Sequence, residues 1–214
     1  MITIVQGHDR PRYADLIDSM FQLRARIFSD RLGWDVCVRD GRENDQFDEL
    51  DPLYLLSVTD DNRVVGCARL LQSTGPTMLS DVFDKLLPEG QTIRSPIIWE
   101  STRFCVDTAD PGLRSGNALA RITGELMAAE IEVGLKAGLS HIVTVVDVRM
   151  ERILKRGGCP VERIGDVVRY GEVPTLAVLI PVGIDTLQRI QQANGIIGSC
   201  IDGDTNVLSM AIAA

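Results

Sequence analysis

A chain of 214 residues, 45% hydrophobic and 24% charged, is long enough to bury one substantial core, and we expect a single domain over residues 1–214. A formal net charge of -8 excludes broad nucleic-acid binding, which needs a basic surface, and confines any acidic partner to a local patch. No apolar run approaches the roughly 20 residues that span a bilayer, and the N-terminus MITIVQGHDRPRY has no basic segment followed by an apolar one, so the expected location is cytoplasmic with no membrane partner.

In chain order, Ile2 to Val5 reads as a short strand, and Leu16, Met20, Leu23 and Ile27 give Tyr13 to Asp30 one helical face. The pattern fails from Arg31 to Pro52, which reads as a long functional loop. Leu53 to Val58 and Val64 to Leu71 read as a hairpin about the turn Asp60-Asp61-Asn62. A short helix near Leu79 to Leu86 precedes a strand from Ile97 to Val106. A long amphipathic helix runs from Asn117 to Lys136, with Gly138 as a left-handed cap. His141 to Val146 and Thr175 to Pro181 read as strands around a short helix, Met150 to Lys155, that Gly157-Gly158 stops. The tail after Gly195 carries no clear pattern. Strands and helices alternate after a hairpin, which predicts an α/β fold, a three-layer α/β/α sandwich around a mixed sheet.

Five cysteines (Cys37, Cys67, Cys105, Cys159, Cys200) without a C-x-x-C pair or nearby histidines indicate neither disulfides nor a metal site. His8 and His141 alone leave little material for a histidine triad, and no nucleophile-elbow or phosphate-loop motif is present. The informative residues are charges inside apolar strands. Arg69 shares a face with Val65, Cys67 and Leu71, where a cation needs a carboxylate partner. Glu100 and Arg103 sit in IIWESTRFCV on opposite faces unless a bulge intervenes, and one of them can meet Arg69. The acidic run ENDQFDELD supplies Asp45 and Asp48 beside Phe47. Such a cluster either pins the loop to the sheet or binds a ligand. Arg24, Phe28 and Trp34 form an aromatic and cationic set suited to an adenine ring with charged groups.

Together, RARIFSDRLGWDV, ENDQFDELD, VVGCARLL and IIWESTRFCVD resemble the LuxI-type acyl-homoserine-lactone synthases, strongly over the first half of the chain. The family's characteristic positions are matched by Arg24, Phe28, Trp34, Asp45, Asp48, Arg69, Phe83, Glu100 and Arg103. The resemblance implies a GNAT-like acyltransferase that takes an acyl group from acyl carrier protein, or from acyl-CoA in some members. The acceptor is the amine of S-adenosylmethionine (SAM), which is a substrate, so that no cofactor is implied. It places Arg24, Phe28, Trp34, Asp45, Asp48, Arg69 and Phe83 around SAM.

For chemistry, the SAM ammonium must lose a proton before it attacks a thioester, and Glu100 is the first candidate base. The strand around Arg103, Phe104 and Cys105 is the candidate oxyanion site. Direct transfer is preferred to a covalent Cys105 intermediate, which has no histidine base. Thr144 matches a position associated with 3-oxo-acyl chains, although a threonine also simply suits a strand. Arg149, Arg152, Lys155 and Arg156, at spacings of three, six and seven, form a basic helix face for the acidic carrier protein or a plain solvated face. An acyl-CoA-dependent N-acyltransferase and a non-catalytic SAM sensor are the competing readings.

Overall fold

The computed structural model describes residues 1–113 and 117–202. Strand β1 (Ile2–Gln6) leads through a 3-10 turn into α1 (Ala14–Arg24), and the backbone then relaxes into a π-helix, Ala25–Arg31. The single helix predicted from Tyr13 to Asp30 is therefore two pieces, because a 3.6-residue period cannot distinguish an α-helix from the wider turn at its end. The predicted loop is also not plain: β2 (Val38–Arg39) and β3 (Arg42–Glu43) make a small hairpin, and Gln46–Glu49 forms a 3-10 turn.

The main sheet is built from β4 (Leu53–Val58), β5 (Val64–Gln72), β6 (Ile98–Val106), β7 (His141–Asp147) and β10 (Val173–Pro181), with β1 on one edge and the short β8 (Glu162–Arg163) and β9 (Val168–Tyr170) on the other. The short helix predicted near Leu79 to Leu86 is α2 (Met78–Asp81) followed by a 3-10 turn at Asp84–Leu86. The remaining helices are α3 (Ala118–Lys136), α4 (Val148–Arg156) and α5 (Ile184–Asn194), the last not predicted from the sequence. Alternation along the strands divides the core. Ile2, Ile4, Leu53, Leu55 and Leu70 pack with Leu126, Ala129 and Val133 of α3. Tyr54, Leu56 and Cys67 pack with Met20, Phe21 and Leu23 of α1. A third group, Leu79, Leu86, Val143 and Ala177, covers the other half of the sheet on the α1 side.

The cap of α3 follows from its glycine. Gly138 has φ +70°, the Leu139 N–H donates to the Gly134 carbonyl at 2.8 Å and the Gly138 N–H to Leu135 at 3.3 Å, the pair of bonds that closes a helix on a left-handed residue. Part of the tail is placed as well. The Glu132 carboxylate accepts from Ser199 Oγ and the Cys200 N–H, and Ile201 bridges to Ile2. Residues 203–214 of that tail lie outside the described residues. No described helix is long and apolar enough to cross a membrane.

The sheet departs from regularity in two ways. All neighbouring strands run antiparallel except β6 and β7, whose parallel ladder covers only Ile98–Ser101 against His141–Thr144. Beyond Ser101 and Thr144 the two strands part. The ladder of β4 with β5 shifts between Ser57 and Val58, and that of β5 with β6 between Cys67 and Arg69. The first shift turns Val65 to the α3 side, so Val65 does not share the face of Arg69 as simple alternation predicts.

Where β6 and β7 separate, Ser101 donates to Glu130 of α3 at 2.5 Å, and both are buried. Burial pushes the Glu130 carboxyl up to about 7 against the opposing pull of the Ser101 hydroxyl. The fold thus favours neutral Glu130, whereas an unfolded glutamate titrates near 4.3. Its contribution is fully present below the unfolded pKa and is lost as pH rises towards about 7, a change of up to about 3 kcal/mol. Glu130→Gln keeps an acceptor for Ser101 and is expected to flatten that fall, which urea titrations at pH values from about 5 to 8 will measure.

Candidate active site

The end of α1 and the acidic run meet over one face of β5 and β6 in a closed lattice of ion pairs. Arg24, fully buried, donates from Nε to Glu43 at 2.5 Å and from both terminal nitrogens to Asp48, each at 2.9 Å. Its guanidinium lies 5.1 Å from the Phe21 ring. Asp48 also accepts from Arg69 Nη1 at 2.8 Å, from the Tyr54 hydroxyl at 2.9 Å and from the Asp45 N–H at 2.8 Å. Arg69 grips Asp45 with Nη1 and Nη2 at 2.5 and 3.0 Å, and its Nε donates to Thr102 at 3.0 Å. Arg103 closes the lattice, reaching Glu43 through Nε and Nη2 and Asp45 at 2.8 Å. Three guanidiniums thus face three carboxylates.

The local sequence explains how the loop delivers these groups. Asp45 caps the 3-10 turn at Gln46–Glu49, its side chain taking the Phe47 N–H while Asp48 takes the Asp45 N–H. This reciprocal cap aims both carboxylates inward, and buried Phe47 lies 5.7 Å beneath the Arg69 guanidinium. Burial alone would raise the Asp48 pKa, but Arg24 and Arg69 outweigh it and hold the carboxyl well below the usual range.

Simple alternation puts Glu100 and Arg103 on opposite faces, and the bulge in β6 overturns it. Thr102 pairs with Arg69 while Cys105 pairs with Cys67, so β6 spends one residue more than β5 between these pairs. Arg103 takes φ +53°, rare for a residue with a side chain, and its guanidinium turns into the lattice and over the Phe28 ring at 5.5 Å. Phe28 and Trp34 stack at 5.1 Å with planes 16° apart, and Trp34 is 40% exposed. The cation beside this aromatic pair is therefore Arg103, and Arg24 lies inside the lattice instead.

Glu100 sits next to the lattice, not in it. Its fully buried carboxylate accepts the N–H groups of Met78 at 2.8 Å and Leu79 at 2.6 Å at the start of α2. Burial pushes it up to about 7, and those two N–H groups and the nearby Arg69 only partly oppose the rise. Cys105 is buried, its sulfur 3.5 Å from that of Cys67. That contact and burial raise its thiol well above the ordinary value, so no thiolate is ready for attack.

Other predicted residues lie elsewhere. Phe83 packs edge-on against Tyr170 at 4.9 Å in the third apolar group. Thr144 faces α3, on the same side of β7 as Ile142 and Val146 and opposite Ser101. Arg149, Arg152, Lys155 and Arg156 are all exposed on α4. Lys155 pairs with Glu151, which Arg163 also grips, whereas Arg149, Arg152 and Arg156 have no charged partner among the described residues. Sequence reasoning did not single out Glu43, although it opens the acidic run. The β2–β3 hairpin supplies the missing signal, since alternation sends Arg42 outward to Asp18 and Glu43 inward.

Removing one partner from such a lattice should cost more than the bond itself. Asp48→Asn leaves guanidinium donors of Arg24 and Arg69 facing an amide, and a loss of about 3–5 kcal/mol is expected from the shift in the urea midpoint. A loss under about 1 kcal/mol would mean that the lattice reorganises freely.

Known proteins resemble this chain over most of its length. The autoinducer synthase family profile matches residues 8–190. The probable acyl-homoserine-lactone synthase of Sinorhizobium fredii is 45% identical over 181 residues, 85% of this chain and 87% of its own. A solved structure of BjaI, a CoA-dependent acyl-homoserine lactone synthase with SAM and isopentyl-CoA, superposes with a TM-score of 0.85 at 27% identity, covering 99% of this chain and 98% of that one. An acyl-CoA N-acyltransferase from Pseudomonas aeruginosa, 15% identical with a TM-score of 0.52 over 84% of this chain and 97% of that one, shares the fold alone. The architecture is accordingly the GNAT-like α/β sandwich, and the chain belongs to the autoinducer synthase family, the acyltransferases that make acyl-homoserine lactones.

Proposed function

We propose that this chain transfers an acyl group from acyl carrier protein to the α-amine of SAM, after which the methionyl carboxylate displaces the sulfonium-bearing carbon and methylthioadenosine leaves. Glu100 carries the reading. A buried carboxyl titrating near 7 beside a balanced ion lattice suits a base that takes a proton from an ammonium of free pKa about 8. SAM brings two positive charges and one negative, so an ionised Glu100 balances the net charge of the bound acceptor.

Phe28 and Trp34 offer the adenine a stacked and partly open aromatic edge, with Arg103 beside them. Asp45, Asp48, Arg69 and Arg24 hold the floor of the pocket. The bulge at Arg103 takes β6 out of its regular ladder, and the backbone from Arg103 to Cys105 is our source for the oxyanion's N–H donors. With Cys105 protonated and buried, the amine attacks the thioester directly. Lactone closure needs geometry more than acid or base, because the thioether is a good neutral leaving group. SAM is consumed, so no cofactor is required, and the site of action is the cytoplasm, where both substrates occur. Thr144, which sits on the α3 face of β7 where that strand parts from β6, is the contact proposed for a 3-oxo group.

The carrier protein as donor is supported by Arg149, Arg152 and Arg156 on α4, which have no charged partner among the described residues and form an exposed basic face on an otherwise acidic molecule. The likeness to a CoA-dependent synthase favours the smaller donor instead. Reversing Arg152 and Arg156 to glutamate is expected to raise KM for acyl carrier protein, most at low salt, and to leave KM for SAM unchanged. Equal kinetics across a salt series, with a better rate on acyl-CoA, would assign the donor to coenzyme A.

The base is tested by its pH profile. The acid limb of kcat/KM should have an apparent pKa near 7 if Glu100 is the proton acceptor. Glu100→Gln should lower the rate by about 10²–10⁴-fold above the limb and less below it, and Glu100→Asp should keep a titrating limb. An unchanged limb in the glutamine variant would remove Glu100 from proton transfer.

A further inference from the structure

The lattice accounts for nearly all the donors of Arg69 and Arg103 with carboxylates or a hydroxyl, and the exceptions converge on one atom. Arg103 Nη1 lies 3.2 Å from the Met78 sulfur and Arg69 Nη2 lies 3.5 Å from it. A thioether is a weak acceptor, and guanidinium donors that are 0% and 8% exposed are poorly satisfied by it. Met78 is held there by its backbone, whose N–H is bound to Glu100 at 2.8 Å. Its side chain is different: an unbranched chain with three rotatable bonds leaves such a position at little cost.

Charge identifies what would fit better. Arg24, Arg69 and Arg103 already balance Glu43, Asp45 and Asp48, so a lone anion would meet a neutral lattice. An α-amino acid group brings its own cation: its carboxylate can accept from both arginines while its ammonium lies towards Glu100. Two charge-assisted hydrogen bonds would replace two contacts with sulfur.

We infer that the Met78 sulfur marks the seat of the acceptor's α-carboxylate, and that the Met78 side chain is a placeholder which the substrate displaces. This rests on the SAM reading above and adds to it the residue that must move. The seat lies within the same group of side chains as Glu100, so an acceptor bound there presents its amine to the proposed base.

The test compares S-adenosylhomocysteine with its decarboxylated analogue, which differ only in the carboxylate, by calorimetry on the full chain. Wild type should prefer the carboxylate form by about tenfold or more. Met78→Glu puts a carboxylate into the seat permanently. It should weaken S-adenosylhomocysteine by at least about tenfold while the analogue stays within about twofold. In wild type labelled with 13C-methyl methionine, the Met78 resonance, identified by its loss in Met78→Leu, should shift on adding S-adenosylhomocysteine and stay nearly still with the analogue. Equal affinities for the two ligands in wild type, equal losses in a folded Met78→Glu protein, or an unmoved Met78 signal would overturn the seat. Methylthioadenosine, which has no amino acid group, serves as the control: if wild type fails to bind it, the SAM reading falls and the seat with it.

Discussion

Three arginines cannot be buried against one face of a sheet unless each is matched, and this constraint shapes the first half of the molecule. A carboxylate removed from Arg24, Arg69 or Arg103 would leave a cation in a medium where its lost hydration is not replaced. The partners all come from one short stretch, Glu43 to Asp48, so the acidic run must fold back over β5 and β6. The small β2–β3 hairpin reads as a consequence of that demand. Its alternation turns Glu43 inward and Arg42 outward. The result is more than a brace, because the same lattice leaves donors of Arg69 and Arg103 on a weak acceptor at its edge.

The sheet's defects serve the same end. A strand without the bulge near Arg103 would send that side chain to the α3 face, where it would meet apolar residues and Glu43 would lose its second cation. The left-handed backbone at Arg103 is the strain that this arrangement tolerates. Across the strand, Ser101 faces α3 at the end of the β6–β7 ladder while Glu100 faces α2, so one turn of pleat separates a neutral buried carboxyl at Glu130 from the proposed base. Both carboxyls are driven up by burial, to about 7. Their surroundings nevertheless differ: Glu130 has a single hydroxyl donor, while Glu100 has two backbone N–H groups and Arg69 nearby.

Much of this was legible in the residues. The order of the major strands, the long α3 with its Gly138 cap and the charged positions in β5 and β6 all follow from periodicity and from the cost of a buried charge. What failed did so for definable reasons. Alternation assumes a regular ladder, so it misplaced Val65 and could not choose a side for Arg103, since bulges leave no mark in composition. Helical period could not reveal the change of pitch after Arg24. Glu43 was hidden because its inward aim depends on a hairpin of two-residue strands, too short for any pattern. The late helix α5 has two buried residues, Thr186 and Ile190, and so lacks the stripe that makes a helix visible. At the site, the residue types were readable, but their pairing was not: Arg24 and Arg103 exchange the roles that proximity to Phe28 in sequence suggests.

Balance in the lattice also bears on how Glu100 can work. Had the neighbouring cluster carried a net positive charge, Coulomb attraction would have pulled Glu100 towards the ordinary carboxylate range and made it a poor acceptor for an ammonium proton. A net negative cluster would have raised it further and kept it protonated at neutral pH. With three charges against three, burial is the largest influence left, and it sets the carboxyl near neutrality. The two N–H groups of α2 then do double duty, holding Glu100 in place and fixing the backbone of Met78 over the arginines. A proton arriving on Glu100 weakens those bonds, because a neutral carboxylic acid accepts less strongly than a carboxylate. In the proposed mechanism a proton taken from the amine therefore loosens the hold of Glu100 on the Met78 and Leu79 backbone.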